Sequence, residues 1–324
     1  MKTLSKLLAV AVVVGGIFAV QAKSLKVLMI GNSFSVCALK QWPQVAKDAG
    51  DTLDLASLMI GGCPLEKHWA NVEKADDKAF KPYGFSWNYA SEAKPTEGPL
   101  AKYGRRINLP EALGADKWDI ITIQQASGQS AFYEKYQPFA DKLIAKIREL
   151  APQAEIVIQQ TWSYAPYEGR LATWKMTPVD MYTALKKAYG QLAEKHSLRQ
   201  IPTGDAVQRY RHILPVDYGT LLTKAEIAAL AKPALVDFHG DVTGRSYWGK
   251  GRKGHKDADV VKLRMDCAHL NPEGEYLQAL VWQARLFGTD VTKLAYKPDF
   301  LAAERAVKMR QAAMDAVNGV PFDK

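Results

Sequence analysis

Three polar residues from two distant parts of the chain could together form a nucleophilic site. Ser33 lies in a Gly-Asn-Ser-Phe-Ser motif that directly follows an apolar run at 27–30, and Asp266 and His269 form an Asp-x-x-His pattern far downstream. A serine hydroxyl is a weak nucleophile until a base takes its proton, which a neutral histidine with an ordinary pKa of ~6.5 can do near pH 7. We predict Ser33 as nucleophile, His269 as its base and Asp266 as the carboxylate that orients His269.

Each part of this set has a simpler explanation when it is taken alone. Ser33 or Ser35 could merely cap the helix that follows, and Asp266 and His269 could be two polar residues in a loop before a helix. The hypothesis therefore depends on the whole set of motifs occurring in order along one chain, which is far less likely by chance than any one motif.

Donors for a developing oxyanion are predicted at two further positions. Gly62 lets the backbone approach a substrate closely, and Gln125 offers a side-chain amide; both would act with the Ser33 N–H. Gln124 is the alternative to Gln125, because side chains alternate along a strand and the strand end cannot be placed to one residue. Two polar residues that simply end a strand are the competing explanation.

The elements that would position these residues alternate between strand-like and helix-like segments, which is typical of βαβ units and a parallel sheet. Strands are predicted at 26–30, 53–59, 119–123, 156–161 and 199–202. Ser33, Gly62 and the Gln124–Gln125 pair each follow one of these strands. Ligands bind beyond the carboxyl ends of parallel strands, so the three segments should meet at one sheet edge.

The domain organisation is predicted to be a signal peptide at 1–22 and one domain at 23–324. Lys2 and Lys6 precede an apolar stretch at 7–20, and Ala22 provides a cleavage site. The stretch is shorter than the roughly 20 residues of a spanning helix, although an uncleaved anchor is the alternative. We expect an exported protein, periplasmic or secreted. Polar excursions from the sheet are predicted at 75–108 and 218–264, and an extra C-terminal helix at 300–316.

The formal net charge is +9, and its one local concentration is a basic cluster at 245–262 with Lys250, Arg252, Lys253 and Lys256. This cluster could contact an anionic polymer or surface, or it could be a solvated loop. No basic motif interleaved with aromatic residues indicates nucleic acid as a partner. No second apolar segment predicts a membrane span after signal cleavage. The oligomeric state is not determined by these features.

The cysteines Cys37, Cys63 and Cys267 allow one disulfide in an exported protein, with Cys63–Cys267 as the candidate pair, or three unpaired, partly buried thiols. Their spacing fits no zinc motif. The Asp and His residues at 237–241 lie too close in sequence to converge readily on one ion. We expect neither a metal nor a cofactor.

Two aromatic residues are candidates for substrate binding. His68 lies just after Gly62, although a histidine on a helix surface packed by Trp69 is an equal alternative. Trp162 could stack on a sugar, although core packing is the default for a tryptophan.

The complete set resembles the SGNH (GDSL-like) hydrolase superfamily. The motif around Ser33 is similar to the first block of that superfamily, with Asn32 where Asp is usual, and Gly62 matches the glycine of the second block. Asp266 and His269 match the last block. The third block, usually Gly-x-Asn-Asp, is replaced here by a segment containing Gln124 and Gln125, which retains an amide side chain.

A closer resemblance is to an uncharacterised bacterial group within that superfamily, known as a domain of unknown function. The similar segments are 61–69, 118–125, 161–164, 201–204 and 269–274. This resemblance implies a three-layer α/β/α sandwich with a mainly parallel, roughly five-stranded sheet of SGNH or flavodoxin-like type. It also implies a Ser-Asp-His site without a metal.

The function expected from these features is that of an exported serine esterase acting on carboxylic esters. Analogy with exported relatives of the superfamily, together with several aromatic residues near strand ends, suggests acetyl or other short acyl groups on carbohydrates as the substrate. One alternative is a non-catalytic protein that binds glycans or surface polymers on the same fold. Another is an acylhydrolase for lipids or thioesters.

Overall fold

The computed structural model describes residues 22–87, 102, 106–214, 221–251 and 253–321. The predicted signal peptide, apart from Ala22, lies outside the described residues. So does most of the second half of the predicted excursion at 75–108.

A seven-stranded sheet forms the centre, in the order β4-β3-β2-β1-β5-β6-β7. Five of its strands run parallel and correspond to the five predicted ones, which confirms the mainly parallel sheet. They are β1 Ser24–Gly31, β2 Thr52–Met59, β5 Ile120–Ile123, β6 Glu155–Gln159 and β7 Arg199–Ile201. The central strands β1 and β5 are buried along their paired residues, because helices cover both faces of the sheet.

Two short antiparallel strands raise the strand count from the predicted five to seven. β3 Tyr83–Trp87 pairs with β2, and β4 Arg106–Ile107 pairs with β3, within the segment predicted as an excursion. β4 has two residues and is too short to show a periodic pattern. β3 pairs with the edge of β2 that β1 leaves unpaired, and this long-range pairing has no local pattern in the sequence.

Helices flank this sheet and complete a three-layer α/β/α sandwich. On one side α10 contacts α1, α2, α8 and α11, whereas α3 contacts α4 and α5. The helices are α1 Ser33–Leu39, α2 Trp42–Asp48, α3 Leu65–Glu73, α4 Leu109–Leu113, α5 Phe139–Leu150, α6 Gly169–Trp174, α7 Pro178–His196, α8 Thr203–Ile213, α9 Lys224–Ala229, α10 Pro272–Phe287 and α11 Ala303–Val317. α11 lies where the extra C-terminal helix is predicted.

The second excursion, 218–264, contains α9 and most of an antiparallel hairpin of β8 Thr243–Gly249 and β9 Lys262–Leu270. This hairpin forms its own two-stranded sheet. Asp266 and His269 therefore lie on a strand. The sequence-based prediction that they lie in a loop is wrong. No helix in the described part of the chain is long and apolar enough to cross a membrane.

All three cysteines are buried free thiols, so the candidate Cys63–Cys267 disulfide is not formed. Burial raises the pKa of Cys37, Cys63 and Cys267 to about 12. Thiols held in the neutral form are poor nucleophiles, so these cysteines are unsuited to covalent catalysis.

Candidate active site

Ser33 is presented at the turn from β1 into α1. Asn32 is the N-cap of α1: its Oδ1 accepts from Phe34 N at 3.0 Å, and its Nδ2 donates to Cys63 O at 3.2 Å. Gly31 is required just before it, because a Cβ there would lie 2.6 Å from Ser35 Oγ. Ser33 is the first helical residue, so its N–H has no partner within the helix and is available to a ligand.

The structure brings Ser33, His269 and Asp266 together. Ser33 Oγ lies 2.7 Å from His269 Nε2. His269 Nδ1 lies 3.0 Å from each of the two carboxylate oxygens of Asp266. A hydroxyl, an imidazole and a carboxylate are thus joined by hydrogen bonds in the order that proton transfer from serine requires.

A β-bulge explains how two residues three apart on a strand can face each other. Asp266 pairs with Arg245 and Leu270 pairs with Thr243, so four steps along β9 oppose only two along β8. The extra residues turn β9, and Asp266 Oδ1 accepts from the backbone N–H groups of Ala268 and His269 at 3.3 and 3.2 Å. Bulges redirect side chains in this way beside active sites.

The carboxylate of Asp266 is held in its charged form. Burial acts to raise its pKa, but the hydrogen bond and charge of His269, with the two backbone N–H groups, outweigh burial and lower the pKa to about 2. Arg245 Nη2 lies 3.7 Å from Asp266 Oδ2 and adds a positive charge on the outer side. Asp266 is therefore ionised at any pH at which the protein is expected to work.

The loop after β6 holds β9 in place. Ala165 N donates to Cys267 O at 2.9 Å, and Trp162 Nε1 donates to Ala268 O at 2.9 Å. Trp162 is fully buried and stacks on Phe34, with ring centroids 4.3 Å apart. The expectation that Trp162 binds substrate is wrong, because its ring is inaccessible; the residue positions the strand that carries His269.

A cavity of about 410 Å³ opens beside Ser33 and His269. Gly62 lines it from the loop after β2 and has a φ of +62°, a left-handed conformation that glycine adopts without strain. The other lining residues are Asn32, Phe34, Ala126, Ser127, Gly128, Gln129, Arg170 and Ala268. Two predicted segments, after β1 and β2, thus reach the site as expected.

Gln125 does not reach this cavity, which corrects its predicted role as an oxyanion donor. Its Oε1 accepts from Leu65 N at 3.0 Å and Ala126 N at 2.8 Å, and its Nε2 donates to Lys135 O at 2.9 Å. Gln124 is also buried, and its Nε2 donates to Asn32 Oδ1 at 2.6 Å. Both amides support neighbouring backbone or the cap of α1.

Substituting Gln125→Ala should destabilise the fold rather than selectively slow a reaction. The substitution leaves two buried backbone N–H groups, of Leu65 and Ala126, without their partner, at roughly 1–3 kcal/mol for each unsatisfied group, and removes the donor to the part-buried Lys135 O. We expect a loss of several kcal/mol in the free energy of unfolding, measured by urea denaturation. A variant of undiminished stability with a strongly reduced kcat would instead restore the oxyanion role.

His68 is likewise not at the cavity, so its predicted contact with substrate is wrong. Its side chain is completely buried in α3, where Nδ1 lies 2.8 Å from Tyr83 Oη and the two rings stack at 5.6 Å. Burial, assisted by the charge of Lys67, lowers the pKa of His68 to about 3. A neutral histidine therefore packs between α3 and β3.

Acid should destabilise the protein through His68. The unfolded chain binds a proton at His68 below the ordinary pKa of ~6.5, whereas the folded protein does not until about pH 3. Stability thus falls as the pH drops through this window, by about 2–3 kcal/mol at pH 4.5 for this group. Urea denaturation at pH 7 and 4.5 should show that His68→Gln removes this part of the pH dependence. An unchanged dependence would contradict the assignment.

The segment at 237–241 holds its Asp241 in an ion pair. Asp241 makes a buried, two-pronged ion pair with Arg211, with both N–O distances at 3.0 Å. Among the described residues, no group of three His, Cys, Asp or Glu side chains could hold a metal ion. The role of this segment is to anchor the start of β8.

Sequence reasoning missed two parts of the cavity. The sequence prediction names only Gln124 and Gln125 after β5, and not the turn at 127–129 that follows them and lines the cavity. Arg170 lies in α6, beyond the loop after β6, and no motif marks it. Only the folding of that loop over the end of the sheet brings Arg170 beside Ser33.

A solved structure supports this fold. A DUF4886 family protein from Bacteroides uniformis ATCC 8492 is 25% identical, with a TM-score of 0.66 over 91% of this chain and 95% of that chain. More distant matches are a protein described as a candidate SGNH hydrolase from Slackia heliotrinireducens (17% identity, TM-score 0.42, 81% of this chain and 97% of that chain) and the acetyl xylan esterase AlAXEase (12%, 0.43, 80% and 99%). Comparison with the curated proteins gave no match.

One family model matches the sequence, over residues 26–213, which is more than half of the chain. Its description is "domain of unknown function (DUF4886)". The match includes Ser33 and Gly62 and ends before β9, which carries Asp266 and His269. The chain belongs to the DUF4886 family.

Proposed function

We propose that this protein is a serine esterase of the SGNH type that hydrolyses carboxylic esters through Ser33, His269 and Asp266. The observation that carries the proposal is the continuous hydrogen-bonded series from Ser33 Oγ to His269 Nε2 (2.7 Å) and from His269 Nδ1 to Asp266 (3.0 Å) at an open cavity. A serine that merely capped α1 would not need a histidine at this distance, and the cap is Asn32.

The reaction follows from this geometry. Ser33 Oγ attacks the ester carbonyl carbon while its proton passes to His269 Nε2, and Asp266 stabilises the resulting imidazolium. The tetrahedral intermediate collapses when His269 returns the proton to the leaving alcohol, which yields an acyl-enzyme on Ser33. Water then attacks the acyl carbon while the same nitrogen takes its proton. The bond from the acyl carbon to Ser33 Oγ breaks as His269 returns this proton to Oγ, and the acid is released.

The oxyanion would be held by backbone N–H groups on two sides of the cavity. The Ser33 N–H lies at the start of α1, and Gly62 supplies a second N–H from the loop after β2. Directed donors of this kind typically contribute about 3 kcal/mol each to transition-state stabilisation. Gln125 has no part in this arrangement, because its amide is bonded elsewhere.

The polar part of the cavity lining supports a short acyl group on a carbohydrate as the substrate. Besides the reacting groups, the lining includes the polar side chains of Ser127, Gln129 and Arg170. A long acyl chain requires a continuous apolar groove, whereas polar groups suit the hydroxyls of a sugar. This observation favours a carbohydrate ester over a lipid as the substrate.

Export is part of the proposal and is supported by the residue pattern at 1–22. An exported esterase would meet polymeric glycans outside the cytoplasm. Sequencing the N terminus of the mature protein from the periplasm or the medium tests this, and a start at Lys23 is expected. A protein that retains Met1 would contradict it.

The direct test of the esterase is covalent labelling. A serine-directed phosphonate should inactivate hydrolysis of an aryl acetate, and mass mapping should locate a single adduct on the peptide that contains Ser33. An adduct on another residue would refute the assignment. Saturable glycan binding with neither labelling nor turnover would favour the non-catalytic alternative.

A further inference from the structure

A guanidinium that the proposed reaction does not use faces the cavity. Arg170 lines the same space as Ser33 and His269, and its side chain is 43% exposed. Its Nε donates to Glu168 Oε1 at 2.9 Å, and its guanidinium carbon lies 4.3 Å from the centre of the Tyr164 ring. These contacts orient the guanidinium, and its Nη1 reaches the wall of the cavity at Gly128. A fixed, accessible guanidinium is well suited to bind a carboxylate.

A second set of cations lies on the β8–β9 hairpin, whose strand β9 carries Asp266 and His269. Residues 243–264 contain seven Lys and Arg and two Asp, so their net charge is 7 − 2 = +5 out of +9 for the whole chain. Lys253 and Lys256 are exposed and have no acidic partner among the described residues. Lys250 lies 3.7 Å from Asp259, and both side chains are largely exposed to solvent.

The distance along the hairpin defines what these cations can do. Asp266 pairs with Arg245, and Lys262 pairs with Gly249 at the last pair before the connecting turn. Four residue steps, or about 13 Å, therefore separate Asp266 from the start of this turn. Charges are largely screened beyond about 8 Å at physiological ionic strength. The tip lysines are therefore too far away to affect the chemistry at Ser33, and can act only by contacting parts of the substrate away from the ester.

We propose that the ester is carried by a carboxylate-bearing polysaccharide: Arg170 binds the carboxylate of the sugar at the cavity, and the lysines of the β8–β9 hairpin bind neighbouring acidic sugars. This inference rests on the proposed esterase function and names its substrate class. A cation beside the ester and a basic ribbon extending from the same strand together match a polymer with repeated negative charges better than a neutral glycan.

The first experiment compares acetate release from an acetylated methyl glucuronoside and the matched acetylated methyl glucoside. The wild-type protein should show a kcat/KM roughly tenfold or more in favour of the glucuronoside, as expected for a hydrogen-bonded charge pair. Arg170→Gln should bring this ratio close to one, and Arg170→Lys should retain part of it. An equal wild-type ratio, unchanged in Arg170→Gln, would overturn the inference and leave the esterase intact.

The second experiment measures binding without turnover, in Ser33→Ala. This variant should bind polygalacturonate more tightly than dextran of similar length, with an affinity that falls as salt rises. Adding Lys253→Glu and Lys256→Glu should weaken this binding at least several-fold, whereas Lys117→Glu with Lys187→Glu, at two exposed positions elsewhere, should not.

The remaining outcomes separate the two proposals. Equal affinity for polygalacturonate, dextran sulfate and single-stranded DNA would reveal a general polyanion surface and overturn carboxylate recognition. Equal affinity for dextran would overturn it as well. Hydrolysis of neither sugar ester nor aryl acetate by the wild-type protein would refute the esterase itself, and the substrate assignment with it.

Discussion

Ser33→Ala should lower kcat for a short-chain aryl ester by at least about 10⁴-fold, the scale seen when a nucleophile is removed from a serine triad. The hydroxyl that would form the acyl-enzyme is lost, while His269 and Asp266 remain in place. The fold should persist, because the hydrogen bond from Ser33 Oγ to His269 lies at the open cavity rather than in the core. Steady-state kinetics and near-UV circular dichroism check the two halves of this expectation.

Ser35→Ala is the matched control for that substitution. Ser35 is the same residue type two positions along α1, and its buried Oγ donates to Asn32 O at 2.8 Å. Its loss should lower stability by about 1 kcal/mol and change kcat little. The double variant Ser33→Ala with His269→Ala should be scarcely slower than either single variant, because the two residues act as a unit. Equal rates for wild type and Ser33→Ala would end the proposed mechanism.

Asp266→Asn should lower kcat by a factor of about 10⁴ with little change in KM. An amide in this position can donate to His269 Nδ1, which places the remaining ring proton on Nε2. The nitrogen facing Ser33 would then carry a proton and could not accept another. In the wild-type protein the low pKa of Asp266, about 2, keeps the carboxylate charged and the required tautomer in place.

Asp257→Asn is the control for the loss of an acidic side chain from the same hairpin. Asp257 Oδ2 lies 2.6 Å from Lys262 Nζ and 3.3 Å from Arg264, away from the cavity. We expect activity on the aryl ester within about twofold of wild type, because Asp257 and its ion-pair partners do not line the cavity. If both Asp variants retained full activity, the assignment of Asp266 would be untenable.

The parallel strands and the position of Ser33 were predictable for a local reason. Strands such as β1 and β5 lie between two layers of helices, so their burial appears directly as a short apolar run in the sequence. A polar motif that begins where such a run ends must lie at the carboxyl edge of the sheet. The same logic located Gly62 after β2.

The roles of the two glutamines and of His68 could not be read in the same way. Alternation along a strand leaves open whether the side chain of Gln125 faces the cavity or the interior. The structure shows that this amide joins the start of α3 to the turn at Lys135, two segments far apart in sequence. His68 is buried against Tyr83 of β3. β3 lies in a segment with no strong strand pattern, so this contact could not be predicted.

The sequence by itself determined the alternation of strands and helices and the three residue types that can transfer a proton from serine, because both are properties of single segments. Only the tertiary structure decided that Ser33 and His269, 236 residues apart, lie within hydrogen-bonding distance. It also decided that a bulge turns Asp266 toward His269 and that Arg170 shares their cavity. These relations depend on the packing of β9 against the loop after β6. Contacts between distant segments produce no periodic pattern in the sequence from which they could be predicted.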